Sequence, residues 1–154
     1  MENVIHSFLY ADEGDTCCAP MAAAIANHFA KERNLDCEFH SAGIYALEGT
    51  PVDPLAAEVL AELYGLDISG HKSVAVTPEL HKKQAGLVRT MDNRLKAFYN
   101  DRAYAWPTDG CFSVVKPCGK AREEYVILAQ YFYKNVSNQL DRLVKEGRIL
   151  VKGN

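Results

Sequence analysis

The sequence predicts one α/β domain: a parallel β-sheet with helices on both faces. Three observations point there. Short apolar runs of strand character alternate with longer segments of helical period, the pattern of units that build parallel sheets. The first run, Val4–Ala11, is too continuously apolar to keep one wet face, so it reads as a central strand. It leads through the polar loop DEGDTCC into an alanine-rich segment opened by Pro20, a residue suited to the first turn of a helix. In such sheets the ligand crevice lies beyond the C-terminal ends of the strands, which is where this loop falls.

The elements follow in order. After the first strand a helix runs from about Pro20 to Arg33, burying Ile25, Phe29 and the neighbouring alanines. Cys37–Gly43 reads as a second strand with a glycine exit. Asp53–Gly65 reads as a second helix, with Asp53 as N-cap and Gly65 as its stop. Ala85–Met91 is a third strand, followed by a helix near Asn93–Asn100, and Cys111–Val115 is a fourth strand. A last helix spans about Ala121–Glu146, with the apolar stripe Tyr125, Leu128, Phe132, Val136, Leu140, Leu143 and Val144. The closing RILVKGN reads equally as a tail or an edge strand. No repeat, low-complexity tract or linker divides residues 1–154, and 154 residues suit one core.

Composition removes several function classes. The chain is 48% hydrophobic and 24% charged, with a net charge of −3, so no basic excess points to nucleic acid or an anionic membrane. No stretch is long enough to span a membrane. The N-terminus lacks a basic region and its apolar run is broken by His6 and Ser7, so it reads as a strand rather than a leader. The five cysteines (Cys17, Cys18, Cys37, Cys111 and Cys118) are odd in number and form no C-x-x-C pair; with no secretion signal read, free thiols in a reducing cytoplasm are expected.

Several segments in order, PMAAAIANHFAKERN, SAGIYALEGTPVDPLAAEVLAELYGLDISGHKS, TPEL and LVRTMDN, resemble the low-molecular-weight protein tyrosine phosphatases, a family related to arsenate reductases. The likeness covers about residues 4–100 and continues more loosely through KPCGKAREEY. It implies a flavodoxin-like three-layer sandwich on a four-stranded parallel sheet. It also implies a loop of the form V-C-x-G-N-x-C-R-S-P after the first strand. In that family the first cysteine is the nucleophile, the arginine and the backbone N–H groups hold the phosphate, the serine helps stabilise the thiolate, and a later Asp-Pro supplies the general acid.

Aligned on Gly14 and PMA, this chain departs from that pattern at each chemical position. Asp12 stands for the nucleophile, Asp15 for the asparagine, Cys18 for the arginine, Ala19 for the serine, and Lys116 for the general acid before Pro117. Cys17 keeps the second loop cysteine. Ser41 and His71 match a serine and a histidine that brace the loop. The resemblance therefore implies a phosphatase scaffold whose C-x5-R loop is degenerate. A thiolate attacks phosphorus because a positive, N–H-rich loop activates it, and an arginine clamps the transferring group with two bonds. Asp12, Glu13 and Asp15 are expected to repel a phosphate dianion: a like-charge pair at 4 Å costs roughly 4 kcal/mol at an effective dielectric near 20. A helix N-terminus returns only about 0.3–1 kcal/mol. Glu13, Gly14, Asp15, Thr16, Cys17 and Ala19 remain the candidate ligand loop. No cofactor and no metal is expected, and the expected partner is a protein or small ligand at Asp12–Cys18.

Other chemistries are readable in the same residues. Cys17 and Cys18 at a helix N-terminus should have lowered pKa values, the basis for a thiol or redox function. Asp12 and Asp15 could hold a cation for metal-assisted hydrolysis, and Cys17, Cys18 and Cys118 a zinc ion, although zinc-ligand spacing is lacking. DEGDT superficially suggests the D-x-D-x-T loop of the haloacid dehalogenase phosphatases, but its two aspartates are three apart rather than two. Lys116 is either a surface lysine or an ion-pair partner for Asp12 or Asp15. His71 as a general base lacks an evident nucleophile beside it.

Overall fold

The computed structural model describes residues 3–100 and 104–153. Four strands, β1 (Ser7–Asp12), β2 (Glu38–Gly43), β3 (Leu87–Thr90) and β4 (Thr108–Cys111), form one parallel sheet in the order β2-β1-β3-β4. β1 is central, as its apolar run requires. Phe8 and Tyr10 enter the larger core on one face, and Leu9 and Ala11 a smaller core on the other. This is the α/β, flavodoxin-like arrangement expected from the sequence.

Among the described residues five α-helices cover the sheet: α1 (Cys18–Glu32), α2 (Pro54–Tyr64), α3 (Pro78–Gln84), α4 (Asn93–Lys96, continued by a 3-10 turn over Ala97–Asn100) and α5 (Arg122–Lys145). The α2 signals act as read: Asp53 accepts from the Leu55 N–H at 3.0 Å, and Gly65 closes the helix at φ 67°, a left-handed conformation that glycine adopts without steric cost. Six stripe residues of α5 are buried, while Val144 is only partly so.

Three local readings need correction. β4 lies at Thr108–Cys111, so Cys111–Val115 is mostly the chain leaving the sheet; a register shift beside Val88 and Thr90 accompanies this pairing. The helix near Asn93–Asn100 is one α-turn followed by a 3-10 turn. α3, capped by the Thr77 side chain on the Leu80 N–H at 3.1 Å, was not read from TPEL. The chain's end forms an antiparallel bridge, Val151 to Leu35, with Ile149 buried beneath it.

Candidate functional site

The loop between β1 and α1 sits on Gly43. A side chain there would meet the Glu13 carbonyl at 2.7 Å and the Asp15 nitrogen at 2.8 Å, so the close approach requires glycine. Asp12, the last residue of β1, is 7% exposed. Its Oδ1 accepts from the Asp15 N–H at 2.6 Å and its Oδ2 from the Ala19 N–H at 2.8 Å. Ala19 lies in the first turn of α1, where backbone N–H groups lack partners within the helix. Cys17, at the N-cap, makes no side-chain capping bond. Asp12 thus reaches across from the strand to cap α1. Burial opposes its charge more than the two N–H groups favour it, and its pKa is pushed up to about 7.

Asp15 adopts φ 56°, a left-handed conformation that aspartate tolerates better than most residues. Its side chain is fully buried and turned away from Asp12: Oδ2 accepts from the Val74 N–H at 2.8 Å, while Oδ1 has no partner among the described residues. His71 braces this turn. Its Nε2 lies 2.9 Å from the Asp15 carbonyl oxygen and 3.2 Å from Oδ2, and Asp15 raises the His71 pKa. Ser41 lies near His71 on the wall of a separate groove and forms no hydrogen bond to the loop among the described residues, so the expected serine brace is not made. The Thr16 carbonyl accepts from the Asp53 N–H at 2.8 Å, seating the loop on the start of α2.

A cavity of about 250 Å³ opens over Asp12. Asp12, Glu13 and Cys18 line it from the loop and α1, Met91, Asp92, Arg94 and Leu95 from the segment after β3, and Val114, Val115 and Lys116 from the segment after β4. Arg94 and Asp92 were missed in the sequence, although LVRTMDN ends a parallel strand and so opens onto the crevice. Arg94 pairs with Glu13 at 2.9 Å and approaches Asp92 at 3.6 Å. This corrects the expectation of three carboxylates facing a ligand without a basic residue. Asp15 is turned inward, Glu13 is paired, and Asp12 alone forms the acidic floor. Lys116 is exposed on the far wall and makes no ion pair with Asp12 or Asp15 among the described residues; it acts on Asp12 only through its field.

The thiols are differently placed from each other. Cys17 is 1% exposed with Sγ 3.9 Å from the Met21 sulfur, and Cys18 beside it, burial, and the carboxylates of Asp53 and Asp12 raise its pKa. The expected lowering at Cys17 is thereby reversed: the neighbouring Cys18 thiol first, and then loss of solvent, disfavour the thiolate. Cys18 is 4% exposed against the cavity. Cys118 borders another cleft, with Thr16, Asp53 and Tyr125. Among the described residues no three His, Cys, Asp or Glu side chains converge as metal ligands. The Asp12 and Asp15 carboxylates bind separate sets of N–H groups rather than a shared point.

Residues 8–103 match the family model described as low molecular weight phosphotyrosine protein phosphatase. The chain is 37% identical over 93 residues to the probable low molecular weight protein-tyrosine-phosphatase EpsP of Ralstonia nicotianae, a match spanning 60% of each protein. It is 26% identical over 148 residues to the protein-arginine-phosphatase of Bacillus subtilis, spanning 90% of this chain and 91% of that one. The crystal structure of a low molecular weight protein tyrosine phosphatase from T. tengcongensis superposes with a TM-score of 0.81 at 31% identity, covering 89% of this chain and 99% of that one.

Proposed function

Because the chain belongs to the low molecular weight phosphotyrosine protein phosphatase family, we propose that it is a pseudophosphatase, acting by binding at the Asp12–Cys18 loop rather than by hydrolysing phosphate monoesters. One observation supports this above the rest: the Asp12 carboxylate occupies two N–H groups of the loop, those of Asp15 and Ala19. In the family such groups hold the phosphate. Here the anion site is filled from within, and an entering phosphate would have to displace a buried side chain. The substitutions act in the same direction. A missing arginine clamp lowers phosphoryl transfer by about 10³–10⁵, and a lysine in place of the general acid removes a further ~10²–10⁴.

The test is hydrolysis of an aryl phosphate, a phosphotyrosine peptide and a phosphoarginine peptide in the presence of chelator. Turnover should not exceed background. Turnover that persists in Cys17→Ser/Cys18→Ser would overturn the reading and point to Asp12 as a nucleophile. Reversal sharpens it: Asp12→Cys with Cys18→Arg restores nucleophile and clamp, and adding Asp15→Asn, Ala19→Ser and Lys116→Asp rebuilds the remainder. Groups that act as a unit are non-additive, so single reversions should be nearly silent and the five-fold variant active. A folded five-fold variant that neither turns over nor binds vanadate would show that Asp12 does not hold the nucleophile position.

A further inference from the structure

The cavity over Asp12 has its polarity inverted relative to a phosphate site. Its floor is a carboxylate with backbone N–H groups as its only hydrogen-bond partners and no ion-pair partner among the described residues. An ionised carboxylate offers about four acceptor positions, so these two bonds leave capacity unused. Met91, Leu95, Val114 and Val115 make an apolar wall. Glu13 and Asp92 form an acidic rim, and that rim already holds a guanidinium, that of Arg94, whose side chain is 71% exposed. The lining carries Asp12, Glu13 and Asp92 against Arg94 and Lys116, a negative balance when all are ionised. The volume of about 250 Å³ falls below the ~300 Å³ at which drug-sized ligand pockets begin, and suits one long side chain better than a cofactor.

We propose that this cavity receives a basic side chain, a guanidinium or ammonium on an apolar stem, presented by a segment of a partner protein. The stem lies along Met91, Leu95 and Val114, and the head takes the free acceptor positions of Asp12. This names the partner chemistry of the pseudophosphatase site and rests on that reading. Lys116, across the cavity with no carboxylate paired to it among the described residues, is the internal competitor. Arg94 competes at the rim.

The groups facing Asp12 are Glu13 and Asp15 on its loop, Cys17 and Cys18 on α1, His71 behind the loop, Asp92 and Arg94 after β3, and Lys116 after β4. Of these, the Asp12 charge is the one a bound cation meets directly. With its pKa at about 7, Asp12 is largely ionised at pH 8 and largely protonated at pH 6, so cation affinity should fall about tenfold between them.

The experiment titrates the whole protein with acetyl-Ala-Arg-Ala-amide, butylguanidinium, acetyl-Ala-Met-Ala-amide and benzylphosphonate, following the amide resonances of Asp15 and Ala19. The arginine peptide should bind at pH 8, lose about tenfold at pH 6, and bind more tightly than butylguanidinium. Lys116→Ala and Arg94→Ala, both at exposed positions, should each strengthen it several-fold, and Asp12→Asn should abolish it. Equal binding of the methionine peptide, stronger binding of the phosphonate, weakening by Lys116→Ala, or affinity independent of pH would overturn the proposal. Butylguanidinium binding as tightly as the peptide would assign the site to small cations and overturn the protein partner. Absence of cation binding with no phosphatase turnover would sink this inference while leaving the pseudophosphatase reading standing; turnover would sink the latter.

Discussion

Two carboxylates in this fold, Asp12 and Asp109, are held in opposite ways. Asp109, in the edge strand β4, is 9% exposed at its side chain and surrounded by cations. Arg142 donates to both its oxygens at 2.8 and 2.6 Å, Arg89 lies 3.4 Å from Oδ2, and Gln139 donates to the same oxygen at 3.1 Å. Tyr10 of the central strand donates to Gln139 at 2.9 Å, so the cluster ties β1, β3, β4 and α5 together. Asp12, at the end of the central strand, has only backbone N–H groups as partners among the described residues. A carboxylate balanced by guanidinium groups is part of the frame. One held by N–H dipoles alone keeps an unbalanced charge, which burial penalises and an arriving cation can relieve. The difference separates a residue that holds the sheet from the one proposed to meet a ligand.

The largest expected effect lies at Asp109. Asp109→Ala leaves Arg89 half-buried without its charge partner and removes both Arg142 bonds. Breaking a buried pair from one side costs ~3–5 kcal/mol. Arg142 is 43% exposed, so the lower end, about 3 kcal/mol, applies here. Urea unfolding should show it as a lowered midpoint at unchanged slope. A loss below about 1 kcal/mol would remove the contrast with Asp12.

The next effect changes with pH. The folded pKa of Asp12, about 7, lies above the ordinary 3.8, so in between the folded state keeps a proton that the unfolded state has lost. Stability therefore falls as pH rises from about 4 to 7, by roughly 4 kcal/mol at most. Asp12→Asn removes that penalty. It also leaves one of the two N–H groups facing an amide NH2, at a cost of about 1–3 kcal/mol. The variant should be more stable than the natural protein at pH 8 and lose the advantage by pH 5. Urea midpoints at the two pH values decide it; parallel pH dependence in the two proteins would show that Asp12 is ionised throughout.

The contrast also explains what the sequence could convey. Periodicity and caps placed the sheet, α1, α2 and α5, because each carries its own signal: the apolar run of β1, Asp53 before Pro54, Gly65 after Tyr64. β4 was misplaced because TDGC is polar and joins the sheet through pairing with β3, whereas CFSVV has the β-branched composition and only follows it. α3 is seven residues long, too short for a helical period to declare itself. At the site, Asp12, Cys18 and Lys116 were found by alignment to a family pattern, and all three line the cavity. What alignment could not give was direction. Asp12 and Asp15 look alike in DEGDT, yet the left-handed turn at Asp15 sends one carboxylate inward to Val74 and leaves the other at the cavity floor. Arg94 was missed for the complementary reason: its partner Glu13 is 81 residues away in sequence.

The smallest effect is at Asp15, where two terms nearly cancel. The buried Oδ1 has no partner among the described residues, an arrangement that costs about 1–3 kcal/mol for a buried acceptor. Asp15→Asn keeps a carbonyl oxygen for the Val74 N–H, keeps a residue suited to φ 56°, and turns an amide NH2 toward the place of Oδ1. It also removes the negative charge beside His71. Asp15 raises the folded pKa of His71 above 6.5, so the stability from that pair is fully present below pH 6.5 and is lost as pH rises through the raised value. Asp15→Asn should therefore change stability by less than about 1 kcal/mol above the raised His71 pKa, and should cost most below pH 6.5, where the charged His71 loses its partner. The sharper measurement is the His71 ring titration by NMR. Its pKa should fall back toward 6.5 in the variant, because only uncharged oxygens, the backbone carbonyl of residue 15 and the new amide, would remain opposite Nε2. An unchanged titration would mean that the carboxylate is not what His71 senses, and the loop's brace would then rest on the backbone bond alone.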